Sequence, residues 1–487
     1  DDNDELTELT DYRSIVDELA LSSIDIRLPR EDGERVIRVK EATGSLRSGA
    51  INVSATGAGA KLTFEGQSDR STLSSLEGDL RVTGDNFADL ADLVGLAAPD
   101  TPPFDALLGV DIADGVWQFD FRPETRVGDS DIYGPLKVTL GGETPIINAD
   151  LRSATLDADD LGIVFGIPIG VGGDETVGET QQAARDAYNQ SSRLIPNVVI
   201  DFSRLDAVDG QVSFTAESVV DSVFDIRALK LEFEIEGRVV RAPLLLAEFE
   251  QGSLDAYATI DGTRSPAVTT SEGNLNSVSM TNLALDHYLR GTSNGRFKAE
   301  MTGDGFREAA ATMTGEIAVW STDADVLALA VEGAALDIGE ALTVLGESAD
   351  DRTYTKARCL AAVLDVDQGI GTFSPAVVDT DDSLVIVRGD VNLANERLKL
   401  SVRSEAKDAS LGTLIGDVGI GGTLRNPELL PFSGATVAQF GIAAILGSLS
   451  GGLAALPFIE PGGAEDAPCG ALLARAEAAA DNPRASN

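Results

Sequence analysis

The sequence is short of the residues that carry most metal and nucleophilic chemistry. It holds one histidine, His287, and two cysteines, Cys359 and Cys469, in 487 residues. One imidazole cannot form a cluster, and neither cysteine sits in a CxxC pair or at metal-ligand spacing, so neither a metal site nor a cofactor is expected. Asp286 precedes His287, but neighbours on a strand point to opposite faces and no nucleophile elbow accompanies them. No catalytic residue is assigned, and the chain is not expected to be an enzyme. Positive charge is scarce as well: 37 Lys and Arg against 80 Asp and Glu give a net charge of −43, and only eight residues are lysine. A phosphate backbone would be repelled, which argues against nucleic acid as a partner. The sequence opens Asp1-Asp2-Asn3-Asp4 with no basic n-region or apolar h-region, so a targeting or anchoring segment is not expected within it.

What is present is alternation. Hydrophobic residues make up 43% of the chain and mean hydropathy is +0.02, enough to build a core. In Leu231-Glu232-Phe233-Glu234-Ile235-Glu236 the apolar side chains fall on one face and three glutamates on the other. That is the pattern of a strand wet on one side. Trp117, Phe119 and Phe121 alternate in the same way with Gln118 and Asp120, as do Phe297, Ala299 and Met301 with Lys298 and Glu300, and Leu398, Leu400 and Val402 with Lys399 and Ser401. Asp209-Gly210, Asp261-Gly262, Gly303-Asp304-Gly305 and Gly389-Asp390 read as the turns between such runs. The fold class expected is mainly β, a long, twisted, repetitive antiparallel sheet with a few short helices.

Helix spacing is confined to short stretches. Phe87, Leu90, Leu93 and Val94 follow the capping pair Asp85-Asn86, and similar spacing runs from Leu336 to Leu345 and from Leu411 to Ile415. Residues 170–190 are glycine-rich and then polar, a linker or surface excursion. From Leu429 to Ile459 there is no charged residue, but Gln439, Ser448, Ser450 and several glycines dilute the apolarity. A helix packed on the sheet or lying at a membrane surface is favoured there over a bilayer span or an oligomer contact.

Strands apolar on one face must hide that face. Helices are too few to cover it, which leaves a second sheet, giving a sandwich, or an apolar guest, giving an open trough. A trough suits lipid: exposing an acyl chain to water costs about 0.8 kcal/mol per methylene, or on the order of 12 kcal/mol for sixteen carbons. Periodicity alone favours the sandwich. The residues expected to face a groove, if there is one, are Trp117, Phe119, Phe121, Leu231, Phe233, Ile235, Phe297, Leu398, Leu400 and Val402.

One ordered set of motifs bears on that choice. Gly128-Asp129-Ser130-Asp131-Ile132-Tyr133-Gly134 is followed by Ile147-Asn148-Ala149-Asp150-Leu151-Arg152-Ser153 and by Leu156-Asp157-Ala158-Asp159-Asp160-Leu161. Further on come Val387-Arg388-Gly389-Asp390-Val391-Asn392-Leu393, Gly422-Thr423-Leu424-Arg425-Asn426-Pro427 and Leu453-Ala454-Ala455-Leu456-Pro457-Phe458-Ile459. Together they resemble the AsmA family of Gram-negative bacteria over roughly residues 20–475. The resemblance implies a β-groove of the bridge-like, chorein type that carries phospholipid between inner and outer membrane, with a membrane at its ends and a part in outer-membrane biogenesis and protein assembly. It also implies a periplasmic location and an inner-membrane anchor helix that this sequence lacks. With it the trough, a β-taco-like elongated groove, overtakes the sandwich; the competing reading is a structural or adhesive β-sandwich array acting through protein contacts.

On this reading residues 1–170 form a first groove segment, 171–195 the linker or excursion, 196–428 an AsmA-like C-terminal β region and 429–487 the charge-free segment and tail. In an exported protein two cysteines usually pair, so Cys359 and Cys469 are a candidate disulfide. The acidic groups Asp379, Asp381, Asp382 and Asp365, Asp367 lack an EF-hand loop or a nonapeptide repeat and read as solvated turn carboxylates.

Overall fold

A computed structural model describes residues 18–30, 33–45, 48–68, 75–94, 101–142, 144–158, 160, 179–197, 208–220, 225–280, 289–327, 354–407, 410–411, 418–430, 459–460 and 463–480. Two compact units divide the chain: Asp1–Asn189, Asp201–Ser222 and Arg227–Leu244 form the first, and Gln190–Ile200, Val223–Ile226 and Leu245–Asn487 the second.

The first unit contains β1 (Glu18–Arg30), β2 (Gly33–Ser45), β3 (Ala50–Gly57), β4 (Ala60–Ser68), β5 (Ser75–Gly84), β6 (Phe104–Ala113), β7 (Val116–Phe121), β8 (Arg126–Val127), β9 (Ser130–Asp131), β10 (Gly134–Thr139), β11 (Ile146–Ser153), β12 (Leu156–Asp157), β13 (Asp209–Ala216), β14 (Val219–Val220) and β15 (Ile226–Glu236). From β1 to β7 each strand pairs antiparallel with the one before it, then β7 pairs with β10 and β10 with β11. The meander breaks once: β11 and β13 run parallel, as do β12 and β14, before β13 returns antiparallel to β15. A parallel pair needs a long crossover, and here the chain between Asp157 and Asp209 supplies it. Helix α1 (Phe87–Val94) lies between β5 and β6 and α2 (Glu179–Asn189) within the crossover.

The division between units falls within β16 (Val239–Phe249). The second unit continues with β17 (Ser253–Asp261), β18 (Val268–Ser279), β19 (Leu289–Thr302), β20 (Thr314–Leu327), β21 (Tyr354–Asp367), β22 (Ile370–Thr380), β23 (Ser383–Asn392), β24 (Arg397–Ala406), β25 (Ser410–Leu411), β26 (Val418–Gly422), β27 (Pro427–Leu430) and β28 (Ile459–Glu460). From β17 to β24 consecutive strands are antiparallel neighbours, followed by β26 on β24 and β27 on β26. Helix α3 (Phe306–Thr312) links β19 to β20, and α4 (Cys469–Glu477) lies in the tail. The chain is thus mainly β, long antiparallel sheet with few short helices. Among the described residues no helix is long and apolar enough to cross a membrane.

The tightest hairpins fall at Ala58-Gly59, Asp114-Gly115 and Gln368-Gly369, where both residues have positive φ. That is the type I′ geometry whose twist matches paired strands. Asp209-Gly210 and Gly389-Asp390, expected as turns, lie inside β13 and β23 instead. Gly389 has φ 120° and a Cβ there would stand 2.1 Å from the Lys399 carbonyl oxygen, so the glycine serves close strand approach rather than a turn. The Phe87–Val94 helix forms as its spacing predicts, whereas Leu411 belongs to a strand. The expected helix at 336–345, residues 412–415 of the one expected from Leu411, His287 and nearly all of the charge-free run lie outside the described residues.

Buried clusters form the core within each unit. In the first, Phe64, Val82, Phe104, Leu108 and Val110 pack together, with Phe87 and Leu90 of α1 against them and the Phe87 ring edge-on to Phe104 at 5.8 Å. In the second, one cluster gathers Met280, Val326, Leu360 and Val385, and another joins Ala318, Ala361 and Val363 to Ala476 and Ala479 of the tail.

Candidate functional site

In the first unit the strand register lines apolar residues up across eleven strands. One row runs Leu19, Gly44, Ile51, Gly66, Gly78, Val110, Phe119, Leu136, Ala149, Val212, Phe233, each the cross-strand partner of the next. A second joins Leu76, Ile112, Trp117, Val138, Ile147, Gly210 and Ile235. One residue along, the row is Glu77, Asp111, Gln118, Lys137, Asn148, Gln211, Glu234. Because side chains alternate with period two, this register separates an apolar face from a charged one through the whole set.

Six of the candidate residues, Trp117, Phe119, Phe121, Leu231, Phe233 and Ile235, therefore share one face. Leu231 is buried and the other five are half-buried. Phe119 and Phe121 pack against the closed cluster of β4 to β6, so the apolar face is dry core at that end and accessible further along. It stays apolar to the edge strand. A register shift in β2 at Lys40 keeps Val39 and Ala42 on one face of β3, so the partners of the two residues, Ile24 and Leu21, also share it. Leu19, Leu21, Ile24 and Ile26 are among the most exposed large hydrophobic residues described, Leu19 at 51%.

The remaining four candidates share a face of the second unit. Phe297 pairs with Gly273 and Ile317, and Ile317 with Leu364. The adjacent row of the same face runs Ala299, Gly315, Val366, Gly371, Val391, Leu398. Leu400 and Val402 follow Leu398 at period two, all four residues are half-buried, and Val402 touches the Met280 cluster. Helix α4 covers the opposite face, where Ala318, Ala361 and Val363 meet Ala476 and Ala479, with Trp320 and Leu472 at the margin. A disulfide between Cys359 and Cys469 ties the helix start to β21, and Arg475 and the Ala480 amide reach Glu316 at its end. Burial alone would raise the Glu316 carboxyl, but these donors outweigh it and hold it below its ordinary range.

The polar groups inside the sheets were not legible as buried. Asp160, 4% exposed, accepts from the Asp129 and Ser130 amides and from Ser130 Oγ at 2.6 Å, while Ser130 Oγ accepts from the Asp157 amide. Burial outweighs those donors and pushes the Asp160 carboxyl up to about 6. Asp131 next door accepts from Ser153 Oγ and from the Ala154 and Thr155 amides. The Gly128 to Asp160 motif is thus a knot that ties the β8–β9 hairpin to β11 and β12.

Asp379 overturns its reading as a solvated turn acid: it is 0% exposed. As the cross-strand partner of Cys359 at the end of β22, it points among the buried groups rather than out of the turn. Arg358 lies 2.6 Å from one of its oxygens and Lys407 2.7 Å from the other, and Asp466 bridges both cations. Burial opposes the Lys407 charge, yet the two carboxylates hold its ammonium above the ordinary lysine value. Asp365 is half-buried near Arg475, whereas Asp367, Asp381 and Asp382 are exposed. The Cys359, Asp379 and Cys469 ligand atoms lie within 4.8 Å of one another, but the sulfurs are bonded to each other and the carboxylate faces two cations, so the trio offers a metal no open set.

Residues 18–374 match the AsmA family. The chain belongs to the AsmA family. It is also similar to the AsmA family protein YhjG of Escherichia coli (strain K12), 26% identical over 408 residues that cover 81% of this chain and 59% of that protein. The chain thus spans less than two thirds of that relative's length. AsmA membership suggests a role in outer-membrane and lipid-related biogenesis.

Proposed function

We propose that the two apolar faces shield phospholipid acyl chains, making this chain a segment of a periplasmic carrier between inner and outer membrane that performs no covalent chemistry and uses no cofactor. The observation that carries the reading is the eleven-strand apolar row ending at Phe233, backed by a charged row one residue away. A closed domain needs no such length of half-buried lining, and each methylene sheltered there recovers about 0.8 kcal/mol. Family membership supports a lipid-related role. The lining binds tails without reading them, so any head-group preference would arise outside it.

Native mass spectrometry of gently purified protein tests this. Phospholipid retained at a reproducible stoichiometry, and lost on extraction with detergent without loss of the fold, is the expected result. Protein that is lipid-free after isolation from lipid-rich cells, and that takes up no phospholipid from labelled vesicles, would sink it and leave the β-sandwich array of protein contacts.

A further inference from the structure

The covalent anchor of α4 is set in an unusual electrostatic position. Cys359 is 0% exposed on β21, its cross-strand neighbour Asp379 is equally buried, and Cys469 Sγ lies 3.8 Å from the Asp379 carboxylate. Both sulfurs are within 4.8 Å of a carboxylate oxygen. Arg358 and Lys407 balance Asp379 and Asp466, so the cluster beside the bond is neutral. We propose that Asp379 guards the Cys359–Cys469 bond against reduction, and that this four-charge cluster makes release of the α4 anchor responsive to local charge.

The chemistry follows from thiol–disulfide exchange. A dithiol reductant attacks as thiolate, forms a mixed disulfide with one cysteine and expels the other as thiolate. Its second thiol then closes its own ring, so the protein bond breaks, the reductant is oxidised to a disulfide, and two protons pass to Cys359 and Cys469. The rate rises as the leaving thiolate becomes more stable. Cys469 is the more accessible sulfur, so attack there expels Cys359 into a buried site against the Asp379 carboxylate. That position disfavours a second negative charge. Asp379 is a positioning charge in this scheme, and it exchanges no atom with the reductant.

The sign of the effect separates charge from mere loosening. Replacing Asp379 with Asn leaves two cations and one carboxylate, favouring the thiolate; replacing Lys407 or Arg358 with Gln leaves excess negative charge and disfavours it. The experiment is reduction of the full chain by dithiothreitol at fixed pH, followed by alkylation and mass spectrometry. Asp379→Asn should speed reduction by roughly tenfold, from a charge removed within 4.8 Å of both sulfurs and attenuated by partial charge development. Arg358→Gln and Lys407→Gln should slow it several-fold. Faster reduction in all three variants, or an unchanged rate in Asp379→Asn, overturns the proposal. Should Asp379→Asn fail to fold, Arg358→Gln decides alone, because its side chain is partly exposed and tolerates replacement: slower reduction supports the guard, and equal or faster reduction overturns it.

Discussion

Phe119 of β7 and Phe233 of β15 stand in one cross-strand row, joined through Leu136, Ala149 and Val212 and half-buried at both ends. Between them lie three strands, and the row itself carries no polar side chain. At about 4.8 Å per strand the two rings are roughly 19 Å apart, about the length of an acyl chain. The two residues are 114 positions apart in sequence, with the crossover between them, so only the register brings them into one surface.

Phe233→Asp should leave the protein folded and lower phospholipid uptake from labelled vesicles several-fold, because a half-buried carboxylate can reach water, whereas Phe119→Asp, set against the Phe64 cluster, should also destabilise the first unit. Leu108→Asp, fully buried in the Phe64 cluster, should instead cost several kcal/mol and unfold the first unit. Circular dichroism and vesicle uptake on the three variants check the contrast; equal unfolding in all of them would show the whole face to be closed core.

Asp160 gives the first unit a pH dependence of definite sign. Its carboxyl is raised to about 6 in the folded chain, so between about pH 4 and 6 the native state binds a proton that the unfolded state does not. Stability contributed here is therefore highest at low pH, is lost as pH rises through about 6, and changes by on the order of 3 kcal/mol. Asp25, Asp105, Asp209, Asp261 and Asp466 are held below the ordinary value by their partners and act in a lower window. Urea midpoints at pH 4.5 and pH 7 should diverge less in Asp160→Asn than in the native sequence.

Glu396, 1% exposed, accepts the Leu194 and Ile195 amides, and Arg307 donates to the Ile195 carbonyl. Arg425 and Thr423 donate to the Arg193 and Ser192 carbonyls, so residues 192–195 are held by their main chain. Glu396→Ala would strand two donors, at about 1–3 kcal/mol each. Hydrogen exchange at Leu194 and Ile195 should accelerate by at least about tenfold, with Glu396→Gln intermediate because it keeps one acceptor.

These cases show what a linear sequence carries and what it does not. The alternation around Trp117 and Phe233 is written at period two, so the face each residue takes could be read directly. Asp379 and Glu396 look like any other turn acids, because their partners Cys469, Leu194 and Ile195 lie some 90 to 200 residues away. Asp160 lay in a motif whose spacing could be recognised, but its burial depends on the β8–β9 hairpin folding over it. The alanines of α4 carry too little apolarity to announce a docked helix. Gly389 shows the converse: Gly-Asp reads as a turn unless the neighbouring strand's approach is known.

If the apolar row depends on register, a single insertion in β7 should damage it more than any one substitution. Alanine inserted between Gln118 and Phe119 would turn Phe119 and Phe121 toward the side of Lys137 and Glu234, with the inserted alanine opposite Leu136 and Asp120 opposite Gly134. A bulge could absorb the extra residue, as the one at Lys40 does between β2 and β3. The two outcomes read differently in vesicle uptake. Without a bulge both rings leave the face and uptake falls at least as far as in Phe119→Asp, with apolar dye binding to the newly exposed rings. With a bulge uptake is retained and amide exchange rises only beside the insertion. Substituting Gln118→Ala, which keeps the register, should change neither.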